Sequence, residues 1–271
     1  MRNLVGNQLV MVGFGIAFFL VLVALLANLI SPYDPYQTVP AAALTGPRAG
    51  AWFGSDQLGR DVLSRVIYGS RISLGVAFSS VCLAILVGGT LGLIGGYFGK
   101  WIDNVIGRLM DVLFGLPTIL LAVAITASLG PGINNAIAAI GIAYAPLFSR
   151  VARAAVIAER EKEYVDAARI LGATDLRIIR RHIVPNALSP VIVQASVSFS
   201  FAIILEAALS YLGLGTQPPD PSWGTMLAEG RKVLELAPWL SIFPGAAIML
   251  AVLAFNLVGD GLRDILDPRM R

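Results

Sequence analysis

Leu129-Gly130-Pro131-Gly132-Ile133-Asn134-Asn135 interrupts an uncharged stretch that runs from Val112 to Ser149. A membrane-spanning helix rises about 1.5 Å per residue and crosses roughly 30 Å of hydrocarbon, so it uses about 20 mostly apolar residues. The stretch is too long for one such helix. Its two glycines and a proline without a backbone donor read as a turn, so it holds two. Outward from this point, four more uncharged runs reach spanning length: Asn3 to Tyr33, Ile72 to Gly99, Ile183 to Leu205 and Leu236 to Gly259. The expected architecture is all-α and polytopic, a single transmembrane domain with six spans near residues 8–30, 73–98, 104–129, 134–157, 188–212 and 238–259.

Composition agrees with a bilayer as solvent. Of 271 residues, 56% are hydrophobic and 14% charged, with a mean hydropathy of +0.76, whereas soluble domains carry about a quarter of their residues as charges. The net charge of +3 gives no basic surface for nucleic acid. One cysteine, Cys82, and one histidine, His182, exclude a disulfide framework and a Cys/His metal cluster. Cys82, between Val81 and Leu83, is expected as a small core residue. The first run exceeds the apolar core of a cleavable leader and is expected to stay as an anchor.

With the N-terminus inside, the inner side holds 14 of the 20 lysines and arginines: Arg2, Lys100, Arg108, the eight between Arg150 and Arg181, and Arg263, Arg269 and Arg271. The positive-inside rule therefore places both termini in the cytoplasm. Two outer segments follow. In residues 31–72, Leu58, Val62, Leu63, Val66 and Ile67 oppose Arg60, Asp61, Ser64 and Arg65, which predicts an amphipathic piece along the outer interface. In residues 213–237, Pro218, Pro219 and Pro221 enforce an irregular loop before Trp223. Gln217, Pro218 and Trp223 are its candidates for facing a soluble partner; the loop could equally cap the helices.

Gly88, Gly92 and Gly96 share one helix face, which predicts close helix packing, with a glycine-lined pathway as the other reading. Glu206 lies about 27 Å along its span from residue 188, near the outer interface, where a carboxylate need not be desolvated. It is a candidate for a hydrogen bond to a neighbouring helix or for the outer part of a pathway. Arg108 and Asp111, one turn apart, are expected to pair or to reach the interface.

The substantial cytoplasmic loop spans residues 159–186. Glu161 to Leu171 carries no helix breaker and has an acidic start, so it predicts a short helix. Gly172 fits the left-handed position that ends it. Thr174 or Asp175 caps a second short helix through Ile178 to His182, and Pro185 is expected to close it. The product is an elbow of two short helices lying along the membrane surface.

Tyr164-Val165-Asp166-Ala167-Ala168-Arg169-Ile170-Leu171-Gly172-Ala173-Thr174-Asp175, with Arg181-His182-Ile183-Val184-Pro185 after it, resembles the cytoplasmic signature loop of ABC importer permeases. The two alanines, the glycine and the proline fall at the family spacing; Asp166, His182 and Val184 stand where Glu, Ile and Leu are usual. Three further segments resemble the dipeptide, oligopeptide and nickel permeases of this group, specifically the shorter permease of each pair: Phe53 to Val62 with Tyr68 to Leu74, Leu212 to Gly224, and Asn256 to Asp264 with Asp267-Pro268-Arg269. The resemblance implies a type I ABC importer permease fold and a chain that is not itself an enzyme. It also implies that Tyr164 through Ile178 dock into a cytoplasmic ATPase subunit, with Asp166 and Arg169 as polar contacts, Ala167 and Ala168 permitting close approach, and Gly172 setting the bend. Ala173, Thr174, Asp175 and Pro185 belong to the same coupling set.

The implied partners are a second, related permease, two ATPase subunits that bind ATP and Mg, and an extracytoplasmic solute-binding protein, in a bacterial or archaeal cytoplasmic membrane. Consistent with ATP being held elsewhere, the nearest approach to a phosphate-binding loop, Gly99-Lys100, has Ile94 at the first glycine position and Trp101 after the lysine. The implied cargo is a di- or oligopeptide. A self-contained secondary transporter or channel is the rival reading; it calls for ionisable residues near the bilayer midplane or an inverted repeat.

Overall fold

The computed structural model describes residues 8–266, and among them regular structure is almost wholly helical. Arg2, Arg269, Arg271 and the Asp267-Pro268-Arg269 motif lie outside the described residues. Helix α1 (Gln8–Leu25) is followed by the short α2 (Ala27–Ile30). Helix α3 (Val62–Ala84) continues through a π-helical turn (Ile85–Gly89) into α4 (Thr90–Phe98). Then come α5 (Lys100–Phe114), α6 (Thr118–Leu129), α7 (Ile133–Arg160) and α8 (Glu163–Ile170). Helix α9 (Asp175–Ile178) runs through a second π-helical turn (Ile179–Ile183) into α10 (Val184–Tyr211), and α11 (Trp223–Arg231) precedes α12 (Trp239–Leu266). Among the described residues five helical stretches are long and apolar enough to cross a membrane, or six if α5 and α6 together form one.

The turn at Gly130-Pro131-Gly132 separates α6 from α7. Both glycines have positive φ, and the Asn135 amide donates to the carbonyls of Leu129 and Gly130 at 3.0 Å each. Three expectations need correction. The amphipathic piece around Val62 is not a separate interfacial helix, because Asp61 caps α3 by accepting from the Ser64 amide at 2.7 Å, and the helix runs unbroken from there. The stretch 104–129 is not one straight helix, since α5 and α6 meet at 90°. Pro117 lacks the donor that would bond Leu113 and pushes Leu116 out of helical geometry. Pro185 does not close a helix: the π-helical turn before it loosens the ladder, and the Asn186 side-chain amide donates to the His182 carbonyl at 2.7 Å.

Packing places α4 directly on α7. A Cβ at Gly88, Gly92 or Gly96 would strike the carbonyl oxygens of Ala145, Ser149 and Arg153, one helical turn after another. Asp103 and Asp111 then clamp α5 to α7 through Arg153 (2.5 Å) and Arg150 (2.8 Å). The partner of Asp111 is thus Arg150, which also stacks 3.9 Å from the Phe114 ring centre, and not Arg108. Cys82 is exposed on the outside of α3, since Val81 and Ala84 take the inward positions.

Candidate functional site

Two regions concentrate polar and exposed apolar groups away from the helix core. The first is the elbow between α7 and α10. The acidic residues Glu163 and Asp166 in its first turn and Arg169 in its last suit the α8 dipole. Val165, fully buried, and half-buried Ala168 face inward onto a small cluster with Tyr97, Val156, Ile178 and Ile183. Gly172 then takes φ +81°, and the Ala173 amide bonds back to the Ala168 carbonyl at 3.0 Å.

This arrangement ties the elbow to three long helices. The Tyr97 hydroxyl at the end of α4 donates to Asp175 at 2.7 Å, and Arg160 at the end of α7 donates to the Tyr97 carbonyl at 2.9 Å. Through Asp175 the elbow also continues directly into α10. Thr174 occupies the cap position by backbone conformation, without a side-chain capping bond. Tyr164 donates to Glu159 at 2.5 Å and lies beside His182, ring centres 5.9 Å apart. The Glu159 carboxylate, more than burial, pushes the Tyr164 hydroxyl up to about 12, so it stays protonated at neutral pH.

Of the predicted coupling residues, Tyr164, Asp166, Ala167, Arg169, Gly172, Thr174 and Asp175 are exposed, and Ala168 and Ala173 are half-buried behind them. Asp166 and Arg169 pair with each other at 3.2 Å. Ile178 is a correction: it is buried inside the chain and supports the elbow from beneath, where no docked protein reaches. Three residues inside the expected docking stretch, Tyr164 through Ile178, were given no role of their own there. Ile170 and Leu171 are each 86% exposed and Leu176 is 64% exposed, an apolar tip on a charged loop. Their signal was helical phase, because Ile170 sits about 140° around the helix from buried Val165.

The second region is the outer end. Glu206 is 1% exposed, which overturns its placement at a solvated interface. Ser210 donates to it at 2.7 Å, and the hydroxyls of Ser73, Ser222 and Thr216 surround the carboxylate. It faces the interior of this chain and lines no open path. Trp223 is likewise a correction: it is 1% exposed, its indole donating to the Val66 carbonyl at 3.0 Å and its amide to Ser73 at 3.2 Å. Gln217 and Pro218 are exposed.

Also unforeseen is a buried charge network. Arg60 bonds Asp56 at 2.6 Å and reaches Glu229 at 3.3 Å; Arg65 reaches Glu229 at 3.1 Å and Asp56 at 3.5 Å. It bolts the outer segment and the start of α3 to α11. Tyr36 adds a link by donating to Asp220 at 2.9 Å; burial and that carboxylate push its hydroxyl up to about 12.

Residues 88–271 match the family described as "binding-protein-dependent transport system inner membrane component". The chain belongs to this family. Residues 1–47 of the permease match a second description, the N-terminal transmembrane domain of oligopeptide transport permease C. It is 48% identical over 270 residues to the dipeptide transport system permease protein DppC of Alkalihalophilus pseudofirmus, covering 100% of this chain and 89% of that one. It is 44% identical to the glutathione transport system permease protein GsiD of Pectobacterium atrosepticum, covering 93% and 84%. In fold it is similar to a chain of the inward-facing MetNI methionine ABC transporter, with a TM-score of 0.61, 18% identity and coverage of 75% and 96%. An amino acid ABC transporter gives a TM-score of 0.57 at 19% identity, covering 73% and 92%. The permease is therefore a multi-pass inner-membrane subunit of an ABC importer, and the self-contained transporter or channel is set aside.

Proposed function

We propose that this permease passes di- or oligopeptides across a bacterial or archaeal cytoplasmic membrane by alternating access, with both termini in the cytoplasm. A solute-binding protein delivers the cargo from outside, a second, related permease completes the pathway, and two cytoplasmic ATPase subunits bind and hydrolyse ATP with Mg. This chain supplies the mechanical connection. The observation that carries the reading is the elbow: Ile170, Leu171 and Leu176 are offered outward while Val165, Ile178 and the Tyr97–Asp175 bond hold it from behind.

Exposed apolar side chains beside an Asp/Arg pair suit a cleft in another protein, where anchors of this type supply most of the binding energy. When ATP draws the ATPase pair together, a short helix so anchored moves with it. The displacement passes to α4 and α7 through Tyr97 and Arg160, and to α10 through the backbone. The names of the relatives support a peptide cargo.

Reconstitution of the assembled importer tests this. Ile170→Asp together with Leu171→Asp is expected to release the ATPase subunits and abolish ATP-driven uptake while the permease pair stays folded. Uptake by this chain alone in vesicles without ATP would contradict the reading. Mass spectrometry of the solute retained by the purified binding protein identifies the cargo; a metal chelate or sugar there would contradict peptides.

A further inference from the structure

The outer end holds a pocket of about 500 Å³ between the turn that follows α10 and helix α11, with Leu212, Gln217, Glu229, Arg231 and Lys232 in its wall. Its charge is unbalanced. Glu229 is committed to Arg60 and Arg65, whereas Arg231 and Lys232 are exposed and join no ion pair among the described residues. The Arg231 guanidinium lies 5.8 Å from the Tyr211 ring centre, which restrains it over the pocket. Gln217 folds its amide onto the carbonyls of Gly213 and Gly215 at 3.0 and 3.1 Å, which stiffens the facing wall.

Two adjacent exposed cations at the mouth of a concave site, one of them held over an aromatic ring, select a carboxylate. The rim favours a protein source over a free solute. Leu212 in the wall, and Leu234 and Leu236 farther along the same outer segment, are exposed apolar residues, the surroundings in which a charged contact is shielded from water at a protein interface.

We propose that this pocket receives an acidic side chain of the docked solute-binding protein, its carboxylate between Arg231 and Lys232 and its stem against Leu212. The proposal rests on the reading that the segment 213–237 faces that protein. The pocket wall shares Glu229 with the network at the start of α3 and Ser210 with the Glu206 site on α10. Docking therefore bears on the outer ends of two of the helices that the elbow holds at their inner ends.

The test uses the assembled importer in lipid nanodiscs, titrated with its purified binding protein while ATP hydrolysis is followed. Reversing both charges, Arg231→Glu with Lys232→Glu, is expected to raise the half-stimulating concentration of binding protein by about tenfold or more and to remove most of its salt dependence. The charge-preserving exchange Arg231→Lys with Lys232→Arg is expected to stay within roughly twofold of the parent. If the reversed variant titrates like the parent, the pocket is not the docking site. If that titration is unchanged but the KM for solute uptake rises, the carboxylate belongs to the solute and the proposal is overturned. A parent complex that does not respond to binding protein at all would remove the underlying reading together with the proposal, which separates the two failures.

Discussion

Arg65 shows how a single residue holds the outer end together. Its guanidinium is buried, and both of its carboxylate partners come from other segments, Asp56 upstream and Glu229 on α11. Arg65→Ala removes one of the two cations that Asp56 and the part-exposed Glu229 share, with Arg60 left on both, so it is expected to cost about 1.5–3 kcal/mol. Thermal unfolding of the purified permease checks this; a loss no larger than that of an exposed arginine such as Arg48 would count against the network. At the inner end, Tyr97→Phe deletes one hydrogen bond to Asp175 and keeps the ring in its cluster. Loss of about 1 kcal/mol from the anchor should speed amide exchange in α8 roughly fivefold. Asp175→Asn, which still accepts from Tyr97, should leave exchange near the parent rate, and equal rates in all three proteins would contradict the anchor. Neither Arg65 nor Tyr97 was legible as an anchor from sequence, because Glu229 and Asp175 lie far off along the chain. Glu206 was misplaced for a related reason: helix length located it along its axis, but apart from Ser210 one turn away the hydroxyls around it come from α3, the turn after α10 and the cap of α11.

At the scale of elements, the runs of apolar residues were readable because bilayer thickness sets their length, and the Gly88, Gly92 and Gly96 face because four-residue spacing repeats a helix face. That face gives a paired expectation. Gly92→Ala drives a Cβ into the Ser149 carbonyl and is expected to cost about 1–3 kcal/mol, while Gly75→Ala, with open space around it, should be neutral or stabilising by up to about 1 kcal/mol. Thermal unfolding of the two variants side by side distinguishes them, and equal effects would mean that α4 and α7 do not touch as described. What escaped the sequence was the behaviour of prolines. Pro117 breaks a helix pair by 90° whereas Pro185 sits just inside a helix. The difference lies in the backbone before each: at Pro117 the Leu116 N–H turns back to the Leu113 carbonyl at 3.4 Å and the ladder ends, whereas Pro185 follows a π-helical turn in which the Asn186 side chain satisfies a loosened carbonyl and the ladder continues.

The whole molecule is a lever with a fixture at each end. Outside, the charge network fastens α11 to α3; inside, Tyr97, Arg160 and the continuous α9 to α10 helix fasten the elbow to three long helices. The signature spacing made the inner fixture legible in outline, since small residues and a left-handed glycine have few other uses in a charged loop. Which face it offers depended on the phase of α8, and that is set by burial of Val165 and Ile178, residues no more apolar than the exposed Ile170 and Leu171. Stiffness between the two ends is what the proposed function requires, and the contact at the tip of the elbow is its starting point.

That contact can be measured by placing a photoreactive phenylalanine analogue at position 171 of the assembled importer and irradiating it with and without ATP. The expected result is a covalent adduct between the permease and an ATPase subunit, with a yield that changes when ATP is bound. No adduct in either state, or labelling of a Leu171→Cys variant by a membrane-impermeant thiol reagent applied from outside, would contradict the account.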